Sequence, residues 1–360
     1  MRYPITAGGA LAALLVTGAP ALAEEDWAAI EAAAKAEGPV VAYTTLKPET
    51  WDVILEAFNA RYPDVRVQPA RTGSHAETFE RYRAESASGT TTADVLLAVG
   101  PDQWSALEES GDIVAFEATD IAALPAFSYT ESGRYTASTD SQVVIYNKLV
   151  LPEEMWPTGT ADLVEKVKAN PELFDGKIGS YDPGVSPFSY SVYWTLKEHF
   201  GEDAFWANEA VLAPELKFEQ TAGVMVNKTL TGEYVVSYML PEALVPLPSD
   251  ETRDVLGVIY PDDGTPVLLR EMAVMADGSS PNGAKLLVDF LVSGEGQIAL
   301  GKGGMTPYHP SAEGKVDRHY ADVVAGGDNA ARIALYEWTP AVEDEMTSFR
   351  GRFNDLAAGG

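Results

Sequence analysis

The first part of the chain alternates short apolar runs with longer segments in which apolar residues recur every three or four positions. Three nearly continuous apolar runs predict buried strands: residues 40–45, 65–67 and 94–99. The segments that follow them predict helices, which comprise residues 48–58, a helix after Ser74, and residues 103–110. Ser74 and Glu77 have the spacing of a capping box. This strand–helix order with short connections predicts a parallel, doubly wound sheet.

A second α/β unit follows in the sequence. Strands are predicted at residues 143–147, 177–181, 232–238, 255–260 and 267–275. Helices are predicted at residues 160–169, 186–200 and 284–292, and the residues beyond 310 are predicted to be mostly helical. Because 360 residues exceed what a single hydrophobic core usually holds, two lobes are expected.

The N-terminal segment has the pattern of a secretory signal peptide. Arg2 precedes an apolar stretch that is shorter than the roughly 20 residues needed to span a bilayer. Ala21 and Ala23 then supply the small residues that signal peptidase recognises. We expect residues 1–23 to be removed, so that the mature protein begins at Glu24 and lies in the periplasm.

Composition excludes several classes of function. The chain has no cysteine, which excludes disulfides, thiolate metal sites, thiol catalysis and the lipid-bearing cysteine of a lipoprotein. Its 25 basic and 54 acidic residues give a net charge of −29, and so acidic a surface repels nucleic acid and anionic lipid. We expect a monomer with no membrane anchor, no nucleic-acid partner and no cofactor.

The sequence also lacks the common catalytic and zinc-binding motifs. Its four histidines are widely dispersed, which argues against a zinc site: His75, His199, His309 and His319. Neither G-x-S-x-G nor H-E-x-x-H is present, and residues 184–188 lack the final glycine of a nucleophile elbow. We therefore predict that the chain is not an enzyme. A secreted hydrolase that uses a pair of carboxylates stays open as an alternative.

Several segments, in order along the chain, carry a family resemblance. They are residues 40–45, Gly73-Ser74, residues 93–95, residues 143–147, Asp182-Pro183, residues 231–233, and residues 284–297, which read AKLLVDFLVSGEGQ. Over roughly residues 38–310 the chain resembles the ferric-ion-binding branch of the extracellular solute-binding proteins, the ligand receptors of bacterial ABC importers. No single segment is specific, and the resemblance lies in the ordered set.

The resemblance implies the two-lobed periplasmic-binding-protein fold of type II, in which two strands cross between the lobes. Lobe 1 would comprise residues 24–138 and 268–310, and lobe 2 residues 139–267, followed by a C-terminal helical segment at residues 311–360. The ligand would be held between the lobes. Hinge closure would then present the loaded protein to the permease subunits.

Loops at strand ends supply the candidate ligand-binding residues in the cleft. In doubly wound sheets the ligand lies beyond the carboxyl ends of the strands, at the N-termini of the following helices, where free N–H groups favour anions. The candidates in such loops are Thr44, Thr45, Gly73, Ser74, Gly100 and Ser186. For a serine at a helix start, capping of its own helix is the alternative role.

The chain departs from the ferric-binding pattern at the metal ligands. The tyrosine pair of ferric binders falls here on Glu242-Ala243, and Tyr238 lies four residues earlier. Asp140 and Gln142 stand where ferric binders often carry arginines. We therefore predict no metal ligands and a small anionic or zwitterionic organic ligand, phosphonate-like or sugar-phosphate-like, with Asp140, Tyr238 and Glu242 in its site. Ferric ion remains the alternative ligand, and a solvated surface position is the alternative for Glu242.

Overall fold

A computed structural model describes residues 25–90, 92–246, 249, 252–325 and 332–359. The predicted signal peptide, residues 1–23, lies outside the described residues. In the described part of the chain, no helix combines the length and the apolar composition needed to cross a bilayer.

The strand predicted at residues 65–67 is observed at Val67–Arg71, and a strand at Leu216–Phe218 was not predicted; the other predicted strands are present among the ten described strands. They are β1 (Val40–Thr44), β2 (Val67–Arg71), β3 (Val95–Ala98), β4 (Tyr135–Asn147), β5 (Ile178–Ser180), β6 (Leu216–Phe218), β7 (Val236–Pro241), β8 (Leu256–Ile259), β9 (Thr265–Val274) and β10 (Ile333–Leu335). The helices of the first 200 residues are α1 (Trp27–Ala34), α2 (Pro48–Arg61), α3 (His75–Ala87), α4 (Pro101–Ser110), α5 (Thr160–Ala169), α6 (Pro171–Phe174) and α7 (Pro187–Phe200). Those that follow are α8 (Glu202–Leu212), α9 (Ala222–Thr231), α10 (Pro281–Val292), α11 (Gly294–Lys302), α12 (Tyr320–Val324), α13 (Pro340–Asp344) and α14 (Met346–Ala357).

All ten strands form one curled sheet that runs through both lobes. Its main order is β2-β1-β3-β9-β4-β7-β5-β6, with β10 beside β9 and β8 beside β4. In lobe 1, β1 pairs in parallel with β2 and β3. In lobe 2, β5 pairs in parallel with β6 and β7. The predicted α/β fold with a mostly parallel, doubly wound sheet in each lobe is confirmed.

The long strands β4 and β9 connect the two lobes. They run antiparallel to each other, with Tyr135 opposite Met272 and Ser141 opposite Val267. Beyond that stretch β4 continues alongside β7 in lobe 2, while β9 reaches β3 in lobe 1. Every residue of β4 is buried, although its first half is rich in Thr and Ser and the sequence predicted only residues 143–147 as strand.

Each lobe has its own hydrophobic core. The core of lobe 1 includes Phe58 and Phe290, which meet edge to face at 5.4 Å between α2 and α10. The core of lobe 2 includes Tyr193 of α7 together with Phe349 and Phe353 of α14. The end of the chain therefore packs into lobe 2, and it contains a strand, β10, that the sequence analysis did not predict.

Candidate functional site

A cavity of about 680 Å³ lies between the lobes and opens where the strands of both lobes end. Lobe 1 contributes the loop from β1 to α2, the start of α3 and the end of α11. The two crossing strands contribute Asp140 and Arg270, and lobe 2 contributes the loops after β5, β6 and β7. This size is within the range of cavities that hold small organic molecules.

Three of the residues predicted from the sequence line this cavity: Thr45, Asp140 and Ser186. The other six do not belong to its wall: Thr44, Gly73, Ser74, Gly100, Tyr238 and Glu242. Thr44 is fully buried, and its hydroxyl accepts a hydrogen bond from the Leu46 amide at 3.0 Å, which shapes the turn after β1. A Cβ at Gly100 would lie 2.6 Å from the Phe79 ring, so this glycine serves close packing.

Backbone N–H groups at the start of α3 donate hydrogen bonds to side chains of the same segment. Ser74 caps the helix by accepting a hydrogen bond from the Glu77 amide at 3.1 Å. The Glu77 carboxylate in turn accepts from the Gly73 amide at 2.7 Å. The Ser74 half of the predicted capping box is thus present, whereas Glu77 accepts from Gly73 instead of from the Ser74 amide, and its carboxylate already occupies this helix N-terminus. Ser186 likewise caps α7, by accepting from the Ser189 amide at 3.2 Å, but it also faces the cavity.

Arg270 is the main cationic group between the lobes, and the sequence analysis did not select it. Its Nη2 donates to Asp140 Oδ2 at 2.7 Å, and its Nη1 donates to Thr45 Oγ1 at 2.9 Å. One guanidinium thus links both crossing strands to lobe 1 at the cavity wall. A sequence signal was available, because the charged residues Arg270 and Glu271 interrupt the apolar run of β9.

His75, the first residue of α3, lines the cavity as a neutral ring. Its Nδ1 accepts a hydrogen bond from the Val99 amide at 3.1 Å. Burial, assisted by the Arg270 charge, lowers the pKa of His75 to about 3. Because Nδ1 is an acceptor, the ring hydrogen resides on Nε2, which leaves an N–H donor for a ligand.

Of the remaining charged residues of the cavity wall, some have hydrogen-bond or ion-pair partners and one does not. Glu219 accepts from Lys228 Nζ at 2.9 Å and from the Tyr234 hydroxyl at 2.6 Å, and these two hydrogen bonds lower its pKa. Asp182 accepts from the Gly184 amide at 2.7 Å. Lys47, at the start of α2, forms no ion pair with any described residue. Lys47 is therefore a cation of the wall without an ion-pair partner among the described residues. Glu219 has an ion-pair partner, and Asp182 accepts a backbone hydrogen bond.

Glu242 and Tyr238 are buried and do not line the cavity, although Pro241 and Ala243 beside Glu242 do. Glu242 is buried, accepts a hydrogen bond from the Tyr260 hydroxyl, and lies 3.4 Å from Arg318 Nε. Burial raises the pKa of Glu242. Tyr238 is fully buried with its hydroxyl 3.2 Å from that of Thr160, and burial raises its pKa well above 10. The sequence correctly placed Glu242 after the strand, and Tyr238, predicted at the strand's end, lies within β7. It could not show which way either side chain points.

The described residues offer little to a metal ion. Among them, no group of three or more histidine, aspartate or glutamate side chains could hold one. Tyr181 is the tyrosine of the cavity wall; burial raises its pKa, and the Ala222 amide hydrogen-bonds to its oxygen. A pair of adjacent tyrosinates does not occur in the described wall.

The chain is similar to known proteins both in sequence and in fold. The profile of a family described as bacterial extracellular solute-binding protein matches residues 42–298, which is well over half of the chain. No curated protein matches the sequence at a significant level. Solved structures match the fold closely at low sequence identity.

Three of these structures illustrate the range of proteins that share the fold. The substrate-binding protein of an ABC transporter from Agrobacterium tumefaciens has a TM-score of 0.71 at 19% identity, with 89% of this chain and 94% of that chain covered. AfuA from Actinobacillus pleuropneumoniae, with fructose-6-phosphate bound, has a TM-score of 0.65 at 20% identity and coverage of 89% and 99%. Iron-bound HitA from Pseudomonas aeruginosa has a TM-score of 0.66 at 17% identity and coverage of 88% and 99%.

Proposed function

This chain belongs to the bacterial extracellular solute-binding protein family, and we propose that it captures a small anionic or zwitterionic organic ligand for an ABC importer. The ligand would be bound between the lobes in the periplasm and delivered to the permease subunits. In this proposal the protein acts as a monomer and performs no catalysis.

The position of Arg270 carries the proposal. Its guanidinium lies at the meeting point of both crossing strands and lobe 1, where a ligand held between the lobes would contact it. Lys47 and the neutral His75 lie in the same wall. A planar guanidinium binds carboxylate, phosphate or phosphonate oxygens in a bidentate manner, and such charge-assisted hydrogen bonds are the stronger ones.

A carboxylate in the wall would receive the cationic part of a zwitterion. Asp182 lines the lobe 2 side of the cavity and forms no ion pair with a described residue, whereas Glu219 on the same side is already paired with Lys228. Asp182 would take the role predicted for Glu242, which does not line the cavity.

Ferric ion is the competing ligand, because iron-bound HitA shares the fold. Fe(III) in this family is expected to require paired tyrosinates. Tyr238 is fully buried, and Tyr181 has no second tyrosine beside it in the described wall. A cavity of about 680 Å³ also suits a molecule better than a single ion.

Ligand binding and closure can be measured together on the protein lacking residues 1–23. Fructose 6-phosphate, 2-aminoethylphosphonate, inorganic phosphate and ferric citrate would each be tested by thermal shift and small-angle scattering. We expect an organic anion to raise the melting temperature and to reduce the radius of gyration, since the lobes close on it. Chemical turnover of an organic probe, or compaction with ferric citrate alone, would overturn the proposal.

A further inference from the structure

Three apolar side chains gather at the lobe 2 side of the cavity, each at the carboxyl end of a different strand. Val185 follows β5, Phe218 ends β6, and Leu244 follows β7. These strands are adjacent and parallel, in the order β7-β5-β6. Their carboxyl ends therefore meet at one edge of the sheet, and the three side chains share one surface of the cavity. We name Val185, Phe218 and Leu244 the apolar floor.

Folding accounts for little of the apolar floor. The exposed fraction is 74% for Val185, 37% for Phe218 and 48% for Leu244. None of the three belongs to the packed clusters of the described residues, although the Phe218 ring lies 6.2 Å from that of the core residue Phe353. Scattered surface hydrophobics are ordinary, but three that converge inside one cavity mark a binding surface.

The opposite side of the cavity is mostly polar. Lobe 1 contributes Thr45, Lys47, Thr50 and His75 beside the apolar Leu46 and Met305, and the crossing strand β9 contributes Arg270. The cavity therefore has the apolar floor on lobe 2, with Asp182, Ser186, Glu219 and Gln220 beside it, and a mainly cationic, hydrogen-bonding roof on lobe 1 and the crossing strands. Closure of the lobes would bring both surfaces against the same ligand.

We infer that the ligand is an amphipathic organic anion, with an aromatic or branched apolar body on the apolar floor and a carboxylate or phosphonate on Arg270 and Lys47. This inference rests on the proposed function and narrows it. A sugar phosphate could direct some hydroxyls to Asp182, Ser186 and Gln220 beside the floor. Those that met the apolar floor itself would find no hydrogen bonds, and polar groups buried without partners are costly. An apolar body gains free energy from the same contact, since it removes apolar area from water.

The experiment compares two sets of anions by isothermal titration. The apolar set is phenylacetate, 3-phenylpropionate and 4-methylvalerate, and the polar set is propionate, gluconate and fructose 6-phosphate. We expect at least one apolar anion to bind about tenfold or more tightly than every polar one, as the burial of an aromatic or branched group predicts.

Two variants of the apolar floor and one matched control locate the contact. Val185→Ser and Leu244→Ser should each weaken the best apolar anion by about fivefold to tenfold. Leu149→Ser is the control, because Leu149 is also 74% exposed but lies outside the cavity wall. All three positions are exposed, so the variants are expected to keep the melting temperature of the unliganded protein.

The outcomes separate this inference from the proposed function. If fructose 6-phosphate binds most tightly and Val185→Ser leaves its affinity unchanged, the amphipathic ligand is wrong while the proposed function stands. If none of the six anions binds or compacts the protein, both fail. If an apolar anion binds and Leu149→Ser weakens it as much as Val185→Ser does, the apolar floor is not the contact.

Discussion

The Arg270 guanidinium and the Asp140 carboxylate form a 2.7 Å ion pair between the two strands that cross from lobe to lobe. Arg270 is opposite Ser138 in the β4–β9 pairing, so Asp140 is its diagonal neighbour on the same face. Both side chains are largely buried, with 12% and 9% exposed. One cation thus links the two crossing strands and lines the cavity, so that an anion bound there would share Arg270 with Asp140.

Removal of Arg270 should therefore affect stability and binding separately. Arg270→Gln leaves Asp140 buried without its partner, and loss of one member of a buried pair is strongly destabilising. In the double variant Arg270→Gln/Asp140→Asn most of that stability should return, while affinity for the best-binding anion stays about 10–100-fold weaker, as for loss of a charged hydrogen bond. Thermal unfolding and titration measure the two effects, and full affinity in the double variant would remove Arg270 from the site.

Glu209 on α8 makes the stability of lobe 2 depend on pH. It is 1% exposed, its carboxylate oxygens have no hydrogen-bond partner among the described residues, and burial raises its pKa to about 8. The folded protein keeps this group neutral, whereas the unfolded chain ionises above its ordinary pKa of 4.5. Stability is therefore lost as pH rises from about 4.5 to 8.

A glutamine at this position tests the effect, because it cannot ionise. Between pH 5 and pH 7 the wild type should lose about 1–3 kcal/mol more of its unfolding free energy than Glu209→Gln does. Urea unfolding at both pH values measures the difference. Glu165→Gln is the control, since the Glu165 side chain is 73% exposed, and equal pH profiles for wild type and Glu209→Gln would contradict the prediction.

Features of the fold and the site that depend on residues close together in the sequence were predicted, whereas features that depend on distant residues were missed. The apolar run of β1 and the helix cap at Ser74 are local features, and both were predicted. The first half of β4 was missed because Thr and Ser dominate it, although packing between the lobes buries it completely. Arg270 was missed because its role comes from Asp140 and Thr45, which are 130 and 225 residues away in the sequence.

The direction in which a side chain points after the end of a strand is the second feature that the sequence did not predict. Glu242 was selected by its distance from the preceding strand. A short 3-10 turn over Glu242–Leu244 directs the carboxylate toward Tyr260 and Arg318 while Leu244 faces the cavity. Position along the sequence does not determine that direction, because the turn geometry and the buried partners do.

His75 gives the opposite pH dependence from Glu209. Its pKa of about 3 lies below its ordinary 6.5, so its contribution to stability is complete above pH 6.5 and is lost as pH falls toward 3. In His75→Asn the amide oxygen can accept from the Val99 amide as Nδ1 does, without titrating. We expect the variant to lose about 1–3 kcal/mol less than wild type between pH 6.5 and pH 4, measured by urea unfolding. Parallel losses in both proteins would show that His75 is not held neutral.

Iron loading should produce no tyrosinate-to-iron charge-transfer band. Tyr238 is fully buried and hydrogen-bonded to Thr160, so ferric citrate has no access to its oxygen. Tyr238→Phe should cost about 0.5–1.5 kcal/mol of stability for the lost hydrogen bond and leave the visible spectrum unchanged. A reddish band that disappears in Tyr238→Phe or Tyr181→Phe would identify an iron carrier.

The strand-end position of the apolar floor bears on how this protein can evolve. Val185 and Leu244 line the cavity without belonging to a packed cluster, and Phe218 adds only a ring contact with Phe353, whereas neighbours such as Tyr193 and Tyr238 hold the lobe together. Natural selection for a stable lobe and selection for a preferred nutrient therefore act on different positions of the same sheet edge. A lineage could exchange one nutrient for another by substitutions at these three positions without first acquiring compensating mutations in the core.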